Sequence, residues 1–242
     1  DHVAMLLATR LFDSRDPVLG LDIGTNTEIT LAFDGRLVSC SCASGPAFEG
    51  AHIKDGMRAA EGGIEGGQII EGRVEYQTIG HHPPVGICGS GILDAVAQLL
   101  QEGIIDEKGS MKDHPRVRRT EKGPEFILVP KEESGTDRDI VISRRDVGEI
   151  QLAKGAIRAG INTLLTETGV QPSDLSRIYV AGAFGTYIKI ESAVAIGMFS
   201  PLPHDRFSQV GNAAGMGARL ALISKRERSR AQELARQVEY VE

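Results

Sequence analysis

The sequence has no tryptophan, three cysteines and only 5% aromatic residues among its 242 positions. Three scattered cysteines cannot form the disulfide framework of a small secreted domain, so a reducing, cytoplasmic setting is expected. No apolar run approaches the ~18 residues that a membrane helix needs. The amino terminus, Asp1-His2-Val3, lacks the basic start and small-residue cleavage site of a signal peptide. Basic charge is not in excess either: 27 Lys and Arg stand against 33 Asp and Glu, a net charge of -6. The two signs are interspersed, which argues against nucleic acid or an anionic membrane as a partner. There is no Walker loop with its lysine, no Gly-x-Ser-x-Gly elbow and no repeat of fixed period. An initiator Met is also missing, so the chain reads as a piece of something longer.

Glycine, by contrast, is abundant, with 29 residues, and the 41% hydrophobic content supports a real core. Val3–Phe12 reads as a short helix and Val18–Ile23 as a buried strand. Thr27–Phe33 reads as a strand alternating Ile29, Leu31 and Phe33 against Thr30 and Ala32. Asp34-Gly35 signals a two-residue hairpin, and Leu37–Cys42 is the returning strand. Residues 43–67 read as a long glycine-rich loop with a short helix near Ala47–Ala51. Strand-like pieces follow over Gln68–Ile79, then a helix from about Ser90 to Gln101 that Gly103 ends. Residues 106–142 are charged and irregular, with strands at Phe126–Val129 and Asp139–Ile142. The longest helix opens on a capping box, Ser143 with Asp146, and carries the stripe Ile150, Ala153, Ile157, Ile161 and Leu164 to Gly169. Arg177–Ala181 is a strand, Ile190–Met198 a short helix, and Val210 ends a strand before another helix. Lys225–Glu239 is a charged terminal helix with Ala231, Leu234, Ala235 and Val238 on one side. Strands followed by helices and mixed units indicate an α/β or α+β domain.

Four motifs carry candidate chemistry. "DIGTNTE", residues 22–28, is an acid at the end of a buried strand followed by a small polar turn. Its amides can face an anion, Thr25, Asn26 and Thr27 add donors, and Asp22 is intelligible beside phosphate if Mg²⁺ sits between them. An ordinary hairpin turn satisfied by Asp22 and Asn26 is the plain alternative. "GICGSG", residues 86–91, opens a helix and offers either a phosphate site or a close packing turn, the second favoured when it stands alone. "YVAGAFG", residues 179–185, leaves room at Gly182 and Gly185 for a flat ring, or makes a tight strand-to-helix turn. "GNAAGMGA", residues 211–218, reads as a hinge or helix-packing seam through Gly211, Ala214, Gly215 and Ala218. Among weaker features, Cys40 and Cys42 share a strand face, but with Cys88 they lack a sensibly spaced fourth metal ligand. His81-His82 read as a surface turn, and Gly62-Gly63 and Gly66-Gly67 as flexible loop.

In this order, "LDIGTNTE" (21–28), "SGPAFEGAHIKDGMRA" (44–59), "GICGSGILDAVAQLL" (86–100), "RDVGEIQLAKGAIRAGI" (145–161), "VAGAFG" (180–185) and "VGNAAGMGA" (210–218) resemble the carboxy-terminal part of the reductive activators of corrinoid proteins. These are iron–sulfur ATPases of the acetate and sugar kinase, heat-shock chaperone and actin superfamily. The resemblance covers nearly the whole chain. It implies an actin-like, ribonuclease H-like α/β lobe with a mixed sheet flanked by helices, half of a two-lobed fold. Residues 1–242 would be the C-terminal lobe, with an insertion at 104–142, while the first lobe and a [2Fe–2S] ferredoxin-like domain would lie upstream. The three cysteines match no plant-type cluster spacing, in keeping with that placement.

The resemblance further implies that the whole protein returns Co(II) corrinoid to Co(I) with one electron from the cluster, driven by ATP, on the corrinoid protein of a methyltransferase system. It leaves a homodimer open. Under it, Asp22 orders Mg²⁺ and its waters, while Gly24, Thr25, Asn26 and Thr27 form the loop around the β- and γ-phosphates. Gly182, Ala183 and Gly185 border the adenosine, and Gly89, Ser90 and Gly91 support the nucleotide or pack beneath it. The loop of Ser44, Gly45, Pro46, Phe48 and Glu49 is a candidate contact with the corrinoid partner. Thr27-Glu28 departs from an expected Gly-Glu and adds bulk beside the phosphate loop. Two other readings share these residues: a corrinoid-protein interaction domain without catalysis, and a small-molecule kinase or hydantoinase-like enzyme, against which no residue is placed as a general base for a substrate hydroxyl.

Overall fold

The computed structural model describes residues 1–70 and 72–241. In chain order it begins with helix α1 (His2–Thr9) and strands β1 (Val18–Asp22), β2 (Thr27–Phe33) and β3 (Arg36–Cys42). Strands β4 (Gly63–Ile70), β5 (Arg73–Thr78) and β6 (Gly86–Ile87) lead to helix α2 (Gly89–Gln101). Strands β7 (Val117–Thr120), β8 (Gly123–Val129) and β9 (Ile140–Ser143) precede helix α3 (Arg144–Thr168). The chain closes with β10 (Arg177–Ala181), α4 (Ile190–Ala195), β11 (Phe207–Gly211), α5 (Ala213–Ile223), α6 (Lys225–Gln237) and β12 (Val238–Tyr240). These elements divide into two compact units.

The first unit comprises Asp1–Ala43, Ala156–Thr186 and Ser200–Glu242. Its six-stranded sheet has the order β11-β10-β1-β2-β3-β12. The chain from β1 to β3 is an antiparallel meander, while β10 and β11 continue the sheet parallel to β1. Asp34 and Gly35 turn the β2–β3 hairpin with φ of 46° and 73°, the doubly left-handed geometry of a type I′ turn. The sheet is covered on both faces. Met5, Leu6, Leu7 and Leu11 pack with Val18, Ala32, Leu37, Ala213 and Leu234. Leu19, Leu21, Ile29, Leu31 and Val180, fully buried, form the other face. Gly160 of α3 lies over that face, where an added Cβ would come within 2.8 Å of Ile29 and 3.3 Å of the Cys40 sulfur. Double coverage explains why the expected alternation in β2 fails: Thr30 and Ala32 are as buried as Ile29 and Leu31. Thr30 is accommodated by hydrogen bonding to the Ser39 hydroxyl and, at 2.5 Å, to Nε2 of His2.

The second unit comprises Ser44–Gly155 and Tyr187–Phe199. It holds two three-stranded sheets, β5-β4-β6 and β7-β8-β9. The glycine pairs expected to be flexible loop are ordered instead. Gly63, Gly66 and Gly67 lie in β4, and an added Cβ at Gly67 would sit 2.3 Å from the Glu75 carbonyl oxygen of the neighbouring strand. Strand β7, absent from the sequence reading, pairs with β8 and turns the charged 106–142 segment into a sheet. The capping box forms as expected, the Ser143 hydroxyl accepting from Asp146 N at 3.2 Å and the Asp146 carboxylate from Ser143 N at 2.7 Å. The terminal helix is shorter than expected: Val238–Tyr240 forms β12, an edge strand parallel to β3.

Candidate functional site

In the first unit the parallel strands β1, β10 and β11 end side by side, with Asp22 registered on Ala181 and Ala181 on Gly211. Ligands of open α/β sheets bind outside such carboxyl ends. Two backbone hydrogen bonds tie the ends together, from Ile23 N to Ala181 O at 3.1 Å and from Gly182 N to Gly211 O at 3.0 Å. Gly182 has φ of 97°, and a Cβ there would lie 2.3 Å from the Ile23 carbonyl oxygen. Only glycine fits this position, so two of the motifs read separately in the sequence meet at one point.

Between β1 and β2 the turn residues Gly24, Thr25 and Asn26 are exposed, and Thr27 donates from its hydroxyl to Gly24 O at 3.5 Å. Gly24 is not left-handed; a Cβ would meet only Asn26 O, at 3.1 Å. Directly after β11, Asn212 caps α5 by accepting from Gly215 N at 2.7 Å. The amino-terminal end of that helix, with its partial positive charge, therefore opens at the same sheet edge. Gln209 braces the neighbouring loop by donating from Nε2 to Gly185 O at 2.7 Å and to Thr186 O at 3.3 Å. Neither Asn212 nor Gln209 stood out in the sequence, because a polar residue at a strand end carries no local signal of what it will brace.

Asp22 faces Glu28 directly across the β1–β2 ladder. Burial raises the carboxyl pKa of both, and the Asp22 charge raises Glu28 further, while the Ser41 hydroxyl opposes that shift by donating to Glu28 Oε1 at 3.4 Å. The amino-terminal ammonium pulls both carboxyls modestly the other way. The sequence reading passed over Glu28 as part of a departure from pattern; its pairing with Asp22 follows only from register.

The other proposed site residues are placed differently. Gly185 is buried, and its missing Cβ makes room for Ala181 O, 2.4 Å away, so the glycine serves packing against β10. Gly89, Ser90 and Gly91 belong to the second unit and are buried at the start of α2. Added Cβ atoms would fall 1.7 Å from Phe48 O at Gly89 and 2.0 Å from Ile64 O at Gly91, which accounts for both glycines by close packing. In the Ser44–Gly50 loop, Ser44 and Phe48 are buried, Gly45 and Pro46 half-buried, and Glu49 exposed. Phe48 and Ser44 are buried there and do not present a contact surface, and the Phe48 backbone closes onto Gly89. The packing seam of α5 exists, though at Gly217, whose Cβ would lie 1.8 Å from Ala4 O of α1.

The cysteines are free thiols, and burial pushes both Cys40 and Cys42 up to about 11. Among the described residues no group of three or more His, Cys, Asp or Glu side chains is arranged to hold a metal. His81 and His82 are exposed, as a surface turn requires. Among the described residues no helix is long and apolar enough to cross a membrane.

Comparison with known proteins places the fold in a family. The family model described as the C-terminal domain of RACo, the ASKHA domain, matches residues 16–242. A corrinoid activation enzyme, RamQ of Eubacterium limosum, is 39% identical over 219 residues, 86% of this chain and 37% of that protein. The [Co(II) methylated amine-specific corrinoid protein] reductase of Methanosarcina barkeri is 31% identical over 260 residues, 98% of this chain and 45% of that protein. A solved reductive activator for a corrinoid, iron–sulfur protein superposes with a TM-score of 0.92 at 42% identity, over 99% of this chain and 39% of that one. The chain spans less than half the length of each of these relatives. With the actin-like architecture and the family match over nearly its whole length, the chain belongs to the family of RACo C-terminal ASKHA domains.

Proposed function

We propose that this chain is the nucleotide-binding part of an ATP-dependent activator that reduces Co(II) corrinoid to Co(I) on a corrinoid protein of a methyltransferase system. The electron comes from an iron–sulfur domain outside this chain. The observation that carries the reading is the sheet edge where the Asp22–Thr27 turn, the Gly182 crossing and the start of α5 converge, in a chain 42% identical to a reductive activator.

Each residue has a role that its position supports. The exposed turn Gly24–Asn26 and Thr27 surround the terminal phosphates with short donors, and the helix end at Asn212 adds a favourable dipole. Gly182 and exposed Ala183 border the nucleoside, with Gln209 fixing the loop that follows. Buried Gly185 shapes the backbone beneath that loop by packing on the Ala181 carbonyl. Gly89, Ser90 and Gly91 shape the start of α2 within the second unit. Asp22 offers hard carboxylate oxygens of the kind that suit Mg²⁺ and its water shell. When bound, Mg²⁺ supplies charge neutralisation on the phosphates. Nucleotide binding drives the uphill reduction only by favouring one conformation or partner complex over another, so these residues act by differential affinity. Glu49 is the exposed candidate in the 44–50 loop for contact with the corrinoid protein. The setting proposed for this activity is the cytoplasm.

Isothermal titration of Mg-ATP into this chain and its Asp22→Ala variant tests the assignment. Measurable binding by the natural sequence and loss of at least about tenfold in the variant is the expected result. Equal binding by both would remove Asp22 from the site. Corrinoid-protein binding with no nucleotide affinity would instead favour a non-catalytic interaction domain.

A further inference from the structure

Strand β11 holds the loop after β10 at both of its ends. Gly182 N donates to Gly211 O at 3.0 Å where the loop begins. Gln209 Nε2 donates to Gly185 O at 2.7 Å and to Thr186 O at 3.3 Å where it ends. Gly211 lies against the same exit, since an added Cβ there would come within 3.4 Å of Thr186 Oγ1. All of these residues belong to the first unit. The strand is also bulged at this point: Gln209 is registered on Val180 but Gly211 on Ala181, which leaves Val210 as an extra residue. Bulges re-aim side chains and are over-represented beside binding sites. Gln209 is exposed and stands on an edge strand, yet its amide is directed at two consecutive loop carbonyls. Between the two anchors stand exposed Ala183 and half-buried Phe184.

We propose that Gln209 is a positioning residue for the nucleoside half of the ligand: by fixing Gly185 and Thr186 it holds Ala183 in place at the nucleoside, so that affinity for the nucleoside, and not for the phosphates, depends on it. This rests on the nucleotide reading above and adds to it a residue that acts through the loop. A loop already held in one conformation need not be ordered when the ligand arrives, and the affinity is higher by that difference. The phosphate turn is built separately. It joins β1 to β2, and β10 stands between β1 and β11, so β11 runs about 10 Å from β1. The plain alternative is that Gln209 only braces the sheet edge, with no consequence for one half of the ligand over the other.

Titration with Mg-ATP and with Mg-tripolyphosphate, which carries phosphates and no nucleoside, separates the two halves. It is run on the natural chain, Gln209→Glu, Gln209→Ala and Gln209→Lys, with the Tm of each ligand-free protein. Glutamate keeps the shape but cannot donate, while lysine donates on a longer arm. The natural chain should bind ATP more tightly than tripolyphosphate. Gln209→Glu and Gln209→Ala should weaken ATP binding about fivefold or more and leave tripolyphosphate within about twofold. Gln209→Lys should recover part of the ATP affinity. Gln209→Ala carries the test if the Glu variant, which sets an acid against two carbonyl oxygens, does not fold. Equal losses for both ligands make Gln209 a brace of the sheet edge and overturn the proposal. ATP affinity unchanged in the Glu and Ala variants also overturns it, and leaves the nucleotide site standing. Binding of neither ligand by the natural chain overturns the nucleotide reading and this inference together.

Discussion

The two units treat their acidic residues in opposite ways. In the second unit every deeply buried carboxylate is met by donors. Asp94, 2% exposed, accepts from Lys189 Nζ at 2.6 Å, Ser192 Oγ at 2.6 Å and Gly67 N at 2.8 Å. Asp55 accepts from Arg138 and Val141 N, and Asp146 from Lys54 N and Ser143 N. Burial pushes the Glu125 carboxyl up, but hydrogen bonds from Lys54 and Arg118 outweigh it and hold the pKa below the ordinary value. In the first unit Asp22 and Glu28 face one another, and both are raised. Satisfied acids hold loops to sheets, as Asp94 joins α2 to α4 and β4. The acids set against each other mark the edge where a ligand is expected, because local rules are broken chiefly where function requires it.

Glycine shows the same contrast, and it yields the largest expected effect. Gly91→Ala should unfold the second unit or destabilise it by more than about 4 kcal/mol, because backbone blocks the new methyl group. Chemical denaturation checks this, and a loss below about 1 kcal/mol would return the α2 glycines to a ligand role. Asp94→Ala should cost about 3 kcal/mol by leaving Lys189 and Gly67 N without their acceptor. A near-neutral result there would blur the division between satisfied and opposed acids.

The next effect belongs to the first unit alone and depends on pH. Burial, with a smaller push from the terminal ammonium, lowers His2 from 6.5 to about 4. The unfolded chain thus binds this proton more tightly than the folded one. The stability contribution is complete above pH 6.5 and is lost as pH falls towards 4, by about 3 kcal/mol at most. Urea titrations at several pH values should show this slope, and His2→Gln, which cannot titrate, should flatten it. Asn212→Ala should cost about 1 kcal/mol through loss of the α5 cap. Asp22→Asn should change stability by less than about 0.5 kcal/mol while weakening Mg-nucleotide binding, the reverse of the pattern at Asp94. If Asp22→Asn instead destabilised the fold as Asp94→Ala does, the two classes of acid would merge.

Local order was legible wherever one residue's neighbours in sequence are its neighbours in space. Strands β2 and β10 fall where apolar spacing put them, Asp34-Gly35 makes its turn, and the Ser143–Asp146 box opens α3. The Asp22–Thr27 turn was legible for the same reason. Strand β7 was not, because Val117-Arg118-Arg119-Thr120 is mostly exposed and gains its conformation from β8. Nor was β12, whose three residues follow a helical pattern and are recruited by β3. Phe48 looked available for a partner because sequence does not reveal that its backbone closes onto Gly89 of α2.

The sequence by itself determined the family, most of the element types and the turn chemistry, since propensity, capping and left-handed turns act over a few residues. Tertiary structure alone decided which glycines pack and which open to solvent, that β1 ends beside β10 and β11, and that Asp22 meets Glu28. Those outcomes depend on strand register and on approaches between segments far apart in the chain, which no local pattern encodes.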